Sequence, residues 1–208
     1  MKPKILTSIF FLLMLGCSSS KITSSWKAGN EQPKKYSKII VLGLIREADR
    51  TLREKMETHF VGDLQGLGYN AISSMSVFGP RAFRRMTEDS AVNTITNTGA
   101  DAVITIVLLD KSKEQRYIPG RRNFYGAANF NRFGGYYTTM YDRVYTAGYY
   151  VTDTRYFWES NLYDMATKQL LYSVQTQSFS PSSSEELAHE YGKMIVNDMV
   201  KKHVLVQQ

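Results

Sequence analysis

Two short apolar runs constrain this chain more than any other feature: "KIIVLGLI" over residues 38–45 and "DAVITIVLL" over 101–109. Each is almost continuously apolar and rich in β-branched residues, the pattern of a strand buried on both faces. Between them the periodicity changes. Leu52, Met56, Phe60, Leu64 and Leu67 recur at spacings of four and three, which places them on one face of a helix that Gly66 and Gly68 end. A strand, a helix and then another strand requires crossover connections, and hence a parallel or mixed sheet.

The intervening residues fit this plan. "YNAISSMSVF" reads as a second strand, with Ala71, Ser73, Met75 and Val77 alternating against Ile72, Ser74 and Ser76. Gly79 and Pro80 make a turn, a helix follows from about Glu88 to Asn97, and Gly99 stops it. The strand that begins at Asp101 becomes charged after Asp110, so it is expected to project past the sheet. Downstream, Arg155 to Tyr163 and Leu170 to Phe179 alternate around "DMATKQ" and read as a β-hairpin, with Trp158, Ser160 and Leu162 on one face. Pro181 ends the second strand. Ser183 with Glu186 forms a capping box for a last helix whose apolar stripe is Leu187, Tyr191, Met194, Ile195 and Met199. The expected fold is α/β (mixed α+β): one mixed sheet with packed helices, ordered strand, helix, strand, helix, strand, then hairpin and C-terminal helix, over 38–206.

The N-terminal segment bears on location. "MKPK" is a basic n-region, "ILTSIFFLLML" an apolar h-region too short for a simple membrane span, and Gly16 a small residue before Cys17. Met14, Leu15, Gly16 and Cys17 resemble a bacterial lipobox, in which the cysteine is thioether-linked to diacylglycerol and becomes the acylated N-terminus; Met14 replaces the usual leucine. The resemblance implies a signal peptide over 1–16 and a membrane partner reached through the Cys17 lipid. Ser18 after that cysteine points, by similarity to lipoproteins without aspartate there, to the outer membrane of a bacterial cell envelope. The polar stretch 17–37 carries no clear periodicity and reads as a tether, with Trp26 expected to cover a domain edge or sit at a membrane interface.

From Lys38 to Val206 the layout resembles the curli-secretion-type (CsgG-like) and penicillin-binding-protein-activator modules of exported bacterial lipoproteins. The matching residues are "KIIVLGL", "NTGADAVITIVL" and the hairpin "ESNLYDMATKQLLYSVQTQS". That resemblance implies a non-catalytic interaction or assembly module.

Chemistry is sparsely signalled. His59, His189 and His203 have no ligand-spaced neighbours, and the chain has no nucleophile elbow, P-loop or dinucleotide fingerprint. No metal, cofactor or catalytic residue is therefore expected. "GDLQGLG" over 62–68 is a helix terminator rather than a phosphate cradle. The excursion "PGRRNFYGAANFNRFGGYYTTMYDRVYTAGYY" over 119–150 is too poor in Leu, Ile and Val to build a core, and loops of that length are uncommon unless functional or disordered. A solvated loop without ligand is its simplest reading. Arg121, Arg122, Tyr125, Tyr136 and Tyr137 are its candidate ligand contacts, chemistry suited to an anionic glycan or lipid, or to an envelope protein. Arg81, Arg84 and Arg85 form a further basic group. The chain carries a net charge of +7, part of it from Lys2 and Lys4 in the n-region, and this mild excess does not point to nucleic acid. Two alternatives to a binding module remain open: an envelope hydrolase acting on glycan or lipid, its site formed by Glu159, Asp153 and the excursion, and a structural lipoprotein that self-assembles through the excursion.

Overall fold

A computed structural model describes residues 19–29, 33–118, 137 and 147–207. Its strands are β1 (Ser20–Lys27), β2 (Ile39–Leu44), β3 (Ala71–Ser73), β4 (Ala102–Ile118), β5 (Tyr149–Asp164) and β6 (Leu170–Phe179). Its helices are α1 (Arg50–Gly66), α2 (Ser74–Phe78), α3 (Glu88–Thr96) and α4 (Ser184–Lys201). The strands form a single sheet in the order β1-β6-β5-β4-β2-β3. β3, β2 and β4 are parallel, and β4, β5, β6 and β1 follow antiparallel. This is the mixed sheet that the two apolar runs require.

The main core lies on one face, where α1 and α4 cover the sheet. Ile39, Val41, Ile104 and Ile106 meet Met56, Phe60 and Leu64 from α1 and Tyr191, Ile195 and Met199 from α4. Ile40, Leu42 and Val103 point the other way and are closed over by Ile95 of α3. Beyond α3 that second face is polar, with Glu159 accepting from Asn161 at 2.9 Å and from Gln175 at 3.1 Å. Among the described residues, the near-continuous apolar runs are therefore the strands covered on both faces, and the alternating hairpin is the part covered on one.

Three segments depart from the expectations. The stretch 17–37 contains a strand: β1 pairs with β6 from Ser20↔Ser178 to Lys27↔Tyr172. A bulge between Ile22 and Ser24 breaks its alternation, which hides it from a period-two reading. Polar contacts hold it, with Ser20 Oγ and Ser178 Oγ 2.8 Å apart and Ser25 Oγ donating to Asp198 Oδ2 of α4 at 2.8 Å. Trp26 stands half exposed on this edge strand, near the end away from Ser20. The second departure is "SSMSVF", which leaves the strand after Ser73 and turns into α2, capped by Ser73 Oγ accepting from Ser76 N. The third is β5, which begins at Tyr149 and so takes the last two residues of the excursion. Gly16 and Cys17, with Arg121, Arg122, Tyr125 and Tyr136, lie outside the described residues.

At the α1/α4 interface Gly192 lets α4 approach Phe60 and Asp63 so closely that an added Cβ would collide with the Asp63 carboxylate. Asp63 Oδ2 is buried without a hydrogen-bond partner among the described residues. Burial raises its pKa, opposed in part by His189, His59 and Lys193. A carboxyl whose folded pKa exceeds its unfolded value weakens the fold at neutral pH, and the penalty is relieved as pH falls through the folded value towards about 3.9. Asp63→Asn is therefore expected to stabilise the protein at neutral pH, with the gain shrinking on acidification. Urea denaturation across a pH series checks this; a gain that grows in acid contradicts it.

Candidate functional site

The parallel pairing of β2 with β4 ends at Leu44 and Val107, and the turn after β2 opens one side of a crevice. Ile45 and Arg46 leave the sheet, a 3₁₀ turn follows over Glu47–Asp49, and α1 starts at Arg50. On the opposite side α2 stops at Gly79, whose φ of 80° is in the left-handed region, and Pro80 leads into the turn carrying Arg81, Phe83 and Arg84. Phe83 is fixed edge-on against Phe78, with ring centroids 5.3 Å apart. Between the two turns lies a concavity of about 360 Å³ lined by Gly43, Leu44, Ile45, Arg46, Arg50, Arg53, Pro80, Arg81, Phe83 and Arg84. Open α/β sheets characteristically bind ligands outside the carboxyl ends of their strands, and the concavity lies at that end of β2.

The floor is set by a buried ionic node. Glu57, fully buried on α1, accepts from Gly43 N at 2.8 Å, Arg53 Nε at 2.9 Å, Met75 N at 2.9 Å and Ser73 Oγ at 2.6 Å. Arg53 in turn donates to Pro80 O and to Ser74 Oγ, each at 3.1 Å. Gly43 permits this, since an added Cβ would stand 2.8 Å from Arg53 Cγ and 2.9 Å from Glu57 Oε1. Glu57 thus neutralises Arg53 and ties β2, α1 and α2 together.

The rim is different. Asp49, at the N-cap of α1, makes no side-chain capping bond and instead pairs with Lys111 at 2.8 Å. The first turn of α1 holds no acidic residue, and among the described residues no carboxylate pairs with Arg46 or Arg50. Within the described lining there is likewise no carboxylate, imidazole or thiol. The arrangement offers guanidinium forks and apolar surface, groups suited to holding an anion.

From this same end of the sheet a two-stranded ribbon extends. β4 and β5 continue to pair from Glu114↔Asp153 to Ile118↔Tyr149, past the end of β6, a projection of about 17 Å at ~3.4 Å per residue. It carries Tyr117, Tyr149 and Tyr150, all more than half exposed. The ring of Tyr117 lies across Gly148 and meets Tyr150 at 5.2 Å. This is the expected overrun of the strand after Asp110.

Of the residues singled out from sequence, Tyr137 is described and exposed. Glu159 and Asp153 are not brought together: six residues apart on one strand, they are separated by about 20 Å, far beyond the 5–10 Å of a cooperating carboxylate pair. Asp153 is committed to Arg116 at 3.3 Å. His59 and His189 do meet, with ring centroids 5.7 Å apart, and His59 bonds Glu185; no group of three or more potential ligands assembles into a metal site among the described residues. Arg81 and Arg84, read only as a basic group, reach the crevice. Arg46 and Arg50 are not singled out by the sequence reading, although the arginines at 46, 50 and 53 cluster directly after a buried strand, the one signal that could have found them.

No family model matches the chain, and no curated protein matches it. Among solved structures it is similar to the PelC dodecamer from Paraburkholderia phytofirmans, with 10% identity and a TM-score of 0.47 over 91% of this chain and 99% of that one. It is also similar to lipoprotein GNA1162 from Neisseria meningitidis, with 15% identity and a TM-score of 0.42 over 79% of this chain and 99% of that one. At these scores the likenesses carry no functional argument.

Removing the node's acceptor strands a buried guanidinium and several donors. Glu57→Ala is expected to cost about 3–5 kcal/mol, the range for breaking one side of a buried pair. Equilibrium denaturation measures this, and a loss below about 1 kcal/mol, the scale of an exposed pair, would contradict the node.

Proposed function

We propose that this chain is a bacterial envelope lipoprotein, anchored through Cys17, that works as a non-catalytic binding or assembly module with the crevice end of its sheet turned towards the membrane. The observation that carries this reading is the position of β1. Its first residue, Ser20, lies three residues after Cys17, so the lipid would be at most about 10 Å from the sheet, at 3.3–3.6 Å per residue. Ser19 is already tied in, its carbonyl accepting from Phe179 N at 2.8 Å and its hydroxyl donating to Glu190 at 3.1 Å. The anchor therefore orients the domain as well as retaining it.

Register supplies the rest. Ser20 pairs with Ser178, Ser178 with Tyr156, and Tyr156 with Lys111, so the start of β1 lies at the end from which the ribbon projects and at which β2 opens into the crevice. The ribbon reaches further than the anchor segment can, which would bring its tyrosines to the bilayer surface; amphipathic aromatic rings suit that interface. Arginine-rich lining without acid–base groups supports binding over turnover. An outer-membrane location follows only from Ser18 and belongs to the same proposal.

Metabolic labelling tests the anchor. The wild-type protein should take up labelled fatty acid and fractionate with membranes, and Cys17→Ala should do neither. Unlabelled wild type, with the variant still in the membrane fraction, would refute it.

A further inference from the structure

We infer that the crevice between the β2–α1 turn and the Arg81–Arg84 turn is a phosphate-binding site, taking the phosphate of an anionic lipid headgroup or of a soluble phosphorylated molecule. The inference deepens the reading above by naming the ligand class, and it rests on that reading only for the lipid as a source.

Helix electrostatics give the first reason. The N-terminus of a helix is positive, so cations in the first turn are unfavourable there and anions favourable, by roughly 0.3–1 kcal/mol each. α1 reverses the usual composition, carrying Arg50 and Arg53 and no acid in its first turn. For Arg53 the buried Glu57 resolves the conflict. Arg50 makes no ion pair among the described residues, the N-cap Asp49 being paired with Lys111, and Arg46 faces the same concavity. A sequence that breaks a local rule without internal compensation marks a site completed from outside. An anion seated between these groups supplies what is lacking, through the helix dipole and guanidinium forks together.

Shape and composition narrow the class. A volume of about 360 Å³ exceeds what a bare inorganic anion needs and falls within the range of small-ligand pockets. Leu44, Ile45, Pro80 and Phe83 give it an apolar wall beside the arginines. A phosphate carries one charge as a diester and up to two as a monoester, and either way presents acceptor oxygens that more than one guanidinium fork can engage, while the wall receives the group esterified to it. Position favours a lipid source. The crevice opens at the same end of the sheet as Ser20, four strand spacings or about 19 Å across it.

The test uses the full lipoprotein released from membranes in non-ionic detergent, with two probes: inorganic phosphate, and phosphatidylglycerol mixed into the micelles against phosphatidylcholine. Binding is followed by calorimetry and by the shift in unfolding temperature. Two variants each remove two positive charges: Arg46→Gln/Arg50→Gln on the exposed rim, and Lys168→Gln/Lys201→Gln at the opposite end of the molecule. Saturable binding by the wild type is expected, weakened about tenfold or more in the arginine variant and unchanged in the lysine variant, as for losing charge-assisted hydrogen bonds. Without probe the arginine variant should unfold at the same temperature as wild type or higher, which separates loss of a site from loss of the fold. Tighter binding of phosphatidylglycerol than of inorganic phosphate assigns the headgroup as source, and equal binding assigns the soluble one. No saturable binding of either probe, or equal weakening in both variants, would overturn the inference. Phosphate binding by a chain that takes up no fatty acid would leave the site standing and remove the anchor; acylation without phosphate binding would do the reverse.

Discussion

The Glu57 carboxylate is the point on which the working end of this protein depends. It is wholly buried, and a buried charge is tolerable only when its oxygens are fully engaged. Here they are held by a backbone amide of β2, a guanidinium of α1 and the hydroxyls and amide with which β3 turns into α2. One side chain thus fixes three elements relative to one another and locks Arg53 as a floor beneath the crevice. The rim arginines then project from a rigid base. Such a base matters for recognition, because donors already in place lose little freedom on binding.

A second constraint is the edge strand. Had 17–37 been a free tether, a lipid at Cys17 would have held the domain on a string of arbitrary orientation. Pairing of Ser20–Lys27 with β6 changes that. The chain enters the sheet at its crevice end, between the early turns of α4 and the base of the ribbon, so the proposed lipid at Cys17 would orient the domain as well as hold it. The exposed tyrosines of the ribbon and the arginines of the crevice then share a side with the proposed lipid.

Much of the fold was legible because its signals are local. The buried parallel strands announced themselves by β-branched runs, α1 and α4 by apolar residues at helical spacing, and the hairpin by alternation around Asp164, whose carboxylate accepts from Ala166 N and Thr167 N to close the turn. What escaped were features decided by distant partners. β1 is polar and bulged, and becomes a strand only because β6 offers an open edge and Asp198 a hydroxyl acceptor. "SSMSVF" alternates well enough for a strand but is turned into a helix by Glu57, which lies on another element. The site was half visible: Arg81 and Arg84 were noted as basic, while Arg46 and Arg50 gain meaning only when β2 and α2 set the two turns face to face.

The proposed orientation, with the β2–α1 end of the sheet facing the bilayer, is measured directly by depth labelling. With Cys17 occupied by lipid, Arg84→Cys and Lys168→Cys each introduce one fluorescently labelled thiol, at the crevice and at the opposite turn, in protein reconstituted into vesicles containing headgroup-nitroxide lipid. The label at residue 84 should be strongly quenched and the label at 168 scarcely so. Equal quenching, or stronger quenching at 168, would contradict it.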